Sequence, residues 1–209
     1  MAVLLTGGSA LAWALPPESL DWQPALVWRE PWRWWTAAFV HWSALHLVAN
    51  LGAALLVALF GLVGRVPASI ALAWGLAWPL THLGLLLQPD LLHYGGLSGV
   101  LHAGVTAAIV HLLLCAPGAR RRIALALGIG LLAKLTVEAP WGPALRPLPG
   151  WDIEVAPLAH ATGAVAGALT ASLCTLASRW LAARRVTAPA AAARAWQQPL
   201  RQPRSGPWP

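Results

Sequence analysis

Ser98 lies in the apolar run Tyr94-Gly95-Gly96-Leu97-Ser98-Gly99-Val100-Leu101, and His160 lies in a second one, from Ala159 to Gly167. A serine hydroxyl is a weak nucleophile until a neighbouring base takes its proton. Imidazole is the side chain that most often does so. Polar groups set into membrane-type segments are costly, and they usually serve a function. The two side chains therefore read as a nucleophile and its base, carried on separate segments.

Gly96 and Gly99 flank the serine closely, and glycine permits tight turns and close backbone approach. Ser98 would then open a helix, where a backbone N–H has no intrahelical acceptor and developing negative charge is favoured. Taken alone, the same pattern also fits a small-residue contact between membrane helices. His160, Gly163 and Gly167 fall at i, i+3 and i+7, so the two glycines let a neighbouring helix press against the histidine's face. His46 and Asn50 are spaced i, i+4 on one face. Both side chains can donate hydrogen bonds, which suits a pair stabilising an oxyanion or a polar clamp between helices. The apolar segments hold no acidic residue at depth, so a serine hydrolase here is expected to use a Ser–His dyad. The chain has no HExxH sequence, which speaks against a zinc metalloprotease. No metal or cofactor is expected.

The elements that must carry these residues are membrane-type. The 209-residue chain is 58% hydrophobic and 10% charged, against roughly a quarter charged in soluble domains. Six apolar segments run over 2–15, 44–64, 68–87, 97–115, 122–137 and 156–178. A spanning helix needs about 20 residues, so the second, third, fourth and sixth qualify, the fifth is slightly short and the first is clearly short. The first also opens without a basic residue, unlike a signal peptide. The expected fold is an all-α polytopic membrane bundle of six transmembrane helices, with five as the fallback. Residues 1–180 would form one membrane domain, and 181–209 a basic, Pro- and Ala-rich cytoplasmic tail without fixed structure.

The net charge of +7 follows topology, not a nucleic-acid surface. With both termini cytoplasmic, Arg65, Arg120, Arg121, Arg122, Arg179, Arg184, Arg185, Arg194, Arg201 and Arg204 all fall inside. Only Arg29, Arg33 and Arg146 fall outside, the bias that sets orientation. Cys115 and Cys174 would lie near cytoplasmic helix ends, where disulfides are rare. The 16–43 loop carries Trp22, Trp28, Trp32, Trp34, Trp35 and Trp42, consistent with an aromatic belt or with a structured element lying in the interface. Lys134 and Glu138, at i, i+4, read as a local ion pair with a snorkelling lysine. His82 and His111 read as structural, and His93 as a loop residue near the entrance.

The ordered motifs resemble those of the rhomboid intramembrane serine proteases. They are Trp32-Arg33 in the first outer loop, His41, His46 and Asn50 around the start of the second segment, Gly96-Leu97-Ser98-Gly99 opening the fourth, and Ala159-His160 with Gly163 and Gly167 in the sixth. The resemblance covers most of the chain. It implies a six-helix bundle with a water-filled cavity open to the outside. Ser98 would be the nucleophile and His160 general base and then acid, with His46, Asn50 and the Ser98 N–H holding the oxyanion. The implied activity is that of a serine endopeptidase, without cofactor, acting on a transmembrane protein substrate within the lipid bilayer.

The phrase Ser98-Gly99-Val100-Leu101-His102-Ala103-Gly104 is similar to that of the rhombosortases, a compact bacterial branch in which a histidine replaces a common tyrosine. Ala103 interrupts that branch's usual Leu-His-Gly run. This narrower resemblance implies a multi-pass protein of the bacterial inner membrane that cuts C-terminal Gly-Gly-type sorting tails of exported proteins. His102, one turn from Ser98, would line the site and stack near His160, or pack beneath it. The alternatives are a general rhomboid protease with other transmembrane substrates and a non-catalytic rhomboid-like protein that binds clients. A small transporter or channel subunit would call for inverted repeats or intramembrane carboxylates, and neither is visible. The sequence leaves the oligomeric state open.

Overall fold

Ser43, in extended conformation, accepts a hydrogen bond from the His46 N–H at 3.0 Å and so caps the first long helix, α3 (Ala44–Gly64). The cap sets where the helix begins, and thereby the face that His46 and Asn50 share. The far end closes on Arg65, left-handed at φ 55°, with the Val66 N–H returning to the Gly61 carbonyl at 2.9 Å. Such a closure satisfies carbonyls that the helix end leaves open.

The computed structural model describes residues 1–196, with side chains through 184. The described residues divide into two units, Met1–Thr175 and a second that begins at Leu176. The first holds α1 (Ala2–Ala12), a short α2 (Arg33–Thr36), α3, α4 (Ala68–Leu83), α5 (Ser98–Cys115), α6 (Gly118–Glu138), and a two-stranded antiparallel ribbon of β1 (Arg146–Pro147) and β2 (Glu154–Val155). α7 (Pro157–Trp196) begins after that ribbon. The protein is mostly helical, and four helices are long and apolar enough to cross a membrane. They are Ala44–Gly64, Ala68–Leu87 (α4 with the 3₁₀ turn that ends it), Ser98–Cys115 and Pro157–Arg184.

α1 has 11 residues, fewer than the about 17 of a short span. α6 has 21 but carries Arg120, Arg121, Arg122, Lys134 and Glu138. The tail expected to lack structure from 181 is corrected in part. Residues 181–196 continue α7 as helix, because the run is dominated by Ala and Arg, both strong helix formers. Pro189 lies inside this helix. The rest of the expected tail, 197–209, is outside the described residues. In the second unit, the Arg184 guanidinium lies 3.6 Å over the Trp180 ring.

α5 is the most buried of the four long helices and α3 the most exposed. The outward side chains of α3 include Val48, Leu55, Leu56, Leu59, Leu62 and Val63, the surface a lipid-facing helix presents. Small residues let α5 sit among its neighbours. Gly104 receives the Trp74 ring, whose Nε1–H donates to the Val100 carbonyl at 2.6 Å. Val100, Leu101 and Ala103 join Trp74, Ala77 and Trp78 of α4 in one core cluster.

The tryptophan-rich loop is a packed element. Trp22 is fully buried and Trp34 nearly so, while Trp28, Trp32, Trp35 and Trp42 are exposed. Buried Arg33 donates to the Asp21 carboxylate at 2.9 Å, to the Asp21 carbonyl at 2.6 Å and to Glu30 at 2.6 Å. His93 meets the second Asp21 oxygen at 2.6 Å. Trp34 Nε1 donates to the Val27 carbonyl at 2.9 Å, and His82 Nδ1 donates to the Trp34 carbonyl at 2.6 Å. One face of this loop therefore has a core and the other keeps an aromatic rim.

Candidate active site

The loop fixes the segment that delivers Ser98. Trp22 and Tyr94 exchange backbone hydrogen bonds at 2.8 and 2.9 Å, and the Gly96 N–H donates to the Ala37 carbonyl at 2.9 Å. Gly96 has φ 149°, and a Cβ there would stand 3.0 Å from His46 Nε2, so only glycine fits without strain. Tyr94 donates to the Gly96 carbonyl at 3.0 Å, and burial pushes its phenol up to about 12. The chain turns and α5 starts at Ser98 itself. The Ser98 N–H is thus an open donor at a helix start.

Ser98 Oγ lies 2.9 Å from His160 Nε2. The seat for that contact is glycine. A Cβ on Gly99 would stand 2.9 Å from the Ala159 carbonyl oxygen, one on Gly163 would strike the Gly99 carbonyl, and one on Gly167 the Ala103 carbonyl. Helices α5 and α7 therefore meet backbone to backbone, and Ser98 and His160, 62 positions apart in the sequence, close into one site.

One expectation is corrected here. The sequence reading put no carboxylate behind the histidine. In the structure Glu138 Oε2 lies 2.8 Å from His160 Nδ1. Lys134 does pair with Glu138, at 2.5 Å through Oε1, but this is not merely a local snorkelling pair. Lys134 Nζ is also 3.1 Å from His102 Nε2. Glu138 ends α6, where Ala139 turns left-handed at φ 47°, so its side chain reaches across to α7.

The partners fix the tautomers. Glu138 can only accept, so His160 Nδ1 carries its proton and Nε2 presents a lone pair to the Ser98 hydroxyl. Lys134 Nζ is 3.4 Å from His160 Nδ1, but both groups are then donors, and this is a neighbouring charge, not a hydrogen bond. His102 Nδ1 donates to the Ser98 carbonyl at 2.7 Å, so its Nε2 accepts from Lys134. The His102 and His160 rings stack at 4.2 Å with an interplanar angle of 14°.

The two side chains read from the sequence as oxyanion donors, His46 and Asn50, face the same space. Asn50 Nδ2 is buried with no hydrogen-bond partner among the described residues. The Trp42 N–H donates to His46 Nδ1 at 3.4 Å, leaving His46 Nε2 to carry a proton. His41 stacks on His46 at 4.8 Å. Burial holds the His41 imidazole below its ordinary value of 6.5, against the opposing hydrogen bond to the Phe39 carbonyl.

A cavity of about 900 Å³ collects Ser98, His160, His46, Asn50, His102, Lys134 and Glu138. Its walls include Trp42, Leu145, Leu148, Trp151 and Ile153, so the ribbon between α6 and α7 forms one side. Gly96, Gly99, Gly163 and Gly167, expected to line or pack the site, are not among the cavity's lining residues; their close contacts are with His46 and with the backbones of Ala159, Gly99 and Ala103. His93 lines the cavity too, while His82 is buried away from it. Sequence reasoning missed Tyr94, Lys134 and Glu138 as parts of this site. Among the described residues, no group of three or more His, Cys, Asp or Glu side chains is placed to hold a metal ion. Cys174 Sγ donates to the Ser69 carbonyl at 3.4 Å, and Cys115 is exposed. No protein-family model matches the chain, and no curated protein matches it.

Proposed function

We propose that this chain is an intramembrane serine endopeptidase of the rhomboid type. The observation that carries the reading is the 2.9 Å contact of Ser98 Oγ with His160 Nε2, inside a cavity that also holds the unpartnered Asn50 amide. An unsatisfied buried donor is costly; a substrate oxygen that becomes negative is a partner it lacks at rest.

Ser98 Oγ attacks the scissile carbonyl carbon as its proton passes to His160 Nε2. The oxyanion takes hydrogen bonds from the Ser98 N–H, Asn50 Nδ2 and His46 Nε2. The C–N bond then breaks, the amine leaves with the proton from His160, and the acyl group stays on Ser98. A water molecule attacks the ester carbon as His160 Nε2 takes its proton; the C–Oγ bond then breaks, Ser98 Oγ takes the proton back from His160, and the carboxyl product leaves.

In this reading the short α1 and the more polar α6 join the four long apolar helices, giving six passes with both termini cytoplasmic. The arginine distribution supports this orientation. Ser98 then lies near the external face of a bacterial inner membrane. The preferred substrates are exported proteins with one C-terminal membrane segment, cut near its outer boundary at Gly or Ala, since glycines ease local unwinding of a helix. The test is fluorophosphonate labelling of wild type, Ser98→Ala and His160→Ala, together with a reporter bearing a Gly-Gly tail. Labelling that depends on both residues, and an outer-side cut read by mass spectrometry, are expected. Wild-type cleavage by either variant would overturn the assignment, and a cytoplasmic cut would overturn the topology. Cleavage of other transmembrane substrates with the Gly-Gly tail left intact would discard the sorting-tail preference alone.

A further inference from the structure

We propose that Glu138 completes a Ser98–His160–Glu138 triad as a positioning residue, with Lys134 as the clamp that orients it; this rests on the reading of Ser98 and His160 as nucleophile and base. The geometry is a chain of contacts, Ser98 Oγ to His160 Nε2 at 2.9 Å, His160 Nδ1 to Glu138 Oε2 at 2.8 Å, and Glu138 Oε1 to Lys134 Nζ at 2.5 Å.

Each link has a job. A neutral imidazole accepts the serine proton only if that proton goes to a ring nitrogen with a free lone pair. Glu138 has no proton to give, so it selects the Nδ1–H tautomer and leaves Nε2 as the base. As Ser98 Oγ bonds to carbon, the proton moves to Nε2 and the ring becomes an imidazolium. Its Nδ1–H stays on Glu138, whose negative charge then faces a positive one. The carboxylate takes no proton in this step.

A carboxylate at the end of a helix can rotate and turn away, and here two features oppose that. Lys134 holds the second oxygen from one turn back on the same helix. Arg146 Nη1 donates to the Glu138 backbone carbonyl at 2.5 Å, which ties the last turn of α6 to the ribbon. Lys134 also donates to His102 Nε2 at 3.1 Å, so the ammonium links the carboxylate to the ring stacked on His160. The histidine is thus held on its edge by Glu138 and on its face by His102. A single histidine hinged on one helix would otherwise sample several ring rotations.

The test compares wild type with Glu138→Gln, Glu138→Asp and Ser98→Ala, all as full-length protein in detergent or liposomes. Fluorophosphonate labelling rate, kcat and KM for a transmembrane reporter are read, with thermal stability as a folding control. Gln keeps the shape but can donate to Nδ1 and place the ring proton on Nε2. A fall in kcat and labelling of about 10²–10⁴-fold is expected, with KM within about threefold, by analogy with loss of the carboxylate in other triads. Asp, which keeps the charge on a shorter arm, should recover at least tenfold over Gln. Equal kcat in Glu138→Gln and wild type overturns the triad and leaves the Ser98–His160 reading standing. Equal losses in Gln and Asp, tracking lost thermal stability, also overturn it, because a merely structural role predicts that pattern. Wild-type protein that shows no labelling dependent on Ser98 overturns both the reading and the triad.

Discussion

Gly163 stands directly against the carbonyl oxygen of Gly99, with no room for even one carbon between them. Gly99 follows Ser98 and Gly163 lies one turn after His160, so this contact sets the distance between α5 and α7 at the site. We expect Gly163→Ala to lower the fluorophosphonate labelling rate by about 10²-fold, the cost of misplacing reacting groups by about 1 Å, and Gly163→Val to lower it further. Labelling at the wild-type rate in Gly163→Val, with normal membrane levels, would show that this contact does not set the Ser98–His160 distance.

Asn50 and His46 should act on turnover. They line the cavity, and in the proposed reaction a carbonyl oxygen gains charge there only as the reaction proceeds; interactions made only then raise kcat. Asn50→Ala and His46→Ala are each expected to lower kcat by about 10²–10³-fold. KM should change little. Steady-state kinetics on a transmembrane reporter would decide this, and a change confined to KM would remove the oxyanion role.

The sequence made some of this site legible and hid the rest for physical reasons. Ser98 and His160 stood out because each is a polar residue in an apolar run flanked by glycines. The i, i+3, i+7 spacing of His160, Gly163 and Gly167 marks one helix face by geometry alone. Glu138 was hidden because Lys134, four residues before it, offered a sufficient local partner. Which carboxylate oxygen is left over, and what it reaches across to, is a tertiary fact. The loop was hidden in a similar way. Tryptophans are read well as interfacial residues, but nothing local distinguishes buried Trp22 from exposed Trp28. The length of α7 was misread because Pro189 and the basic residues suggested an unfolded tail, while the alanines around them favour helix.

His102 should matter through its ring as well as its nitrogens. It stacks on His160 at 4.2 Å while its Nδ1–H is tied to the Ser98 carbonyl. His102→Tyr keeps an aromatic face and should retain more activity than His102→Ala, which removes it. Loss of a single stacking contact of about 1 kcal/mol corresponds to roughly fivefold in rate, with freedom of the His160 ring adding to this. We therefore expect about tenfold or more between the Tyr and Ala variants in labelling rate. The reverse order would show that the ring face contributes nothing.

Arg33 should hold the outer loop in place and, through it, the segment that presents Ser98. Its guanidinium is buried, and so is the Asp21 carboxylate it meets. Asp21 is adjacent to Trp22, whose backbone pairs with Tyr94, four residues before Ser98. Removing one member of a buried pair leaves the other charge without its partner, a loss of about 3–5 kcal/mol. His93 also touches Asp21, but its side chain is half exposed and an imidazole is charged only when protonated, so it replaces the lost charge only in part. We expect Arg33→Met to destabilise the folded protein by about that amount in detergent unfolding followed by tryptophan fluorescence, which reports on buried Trp22. Labelling of Ser98 should fall at temperatures where the loop loosens and recover on cooling. A change in stability below about 1 kcal/mol would show that the loop is held by Trp22, Val27 and Trp34 packing, with the ion pair secondary.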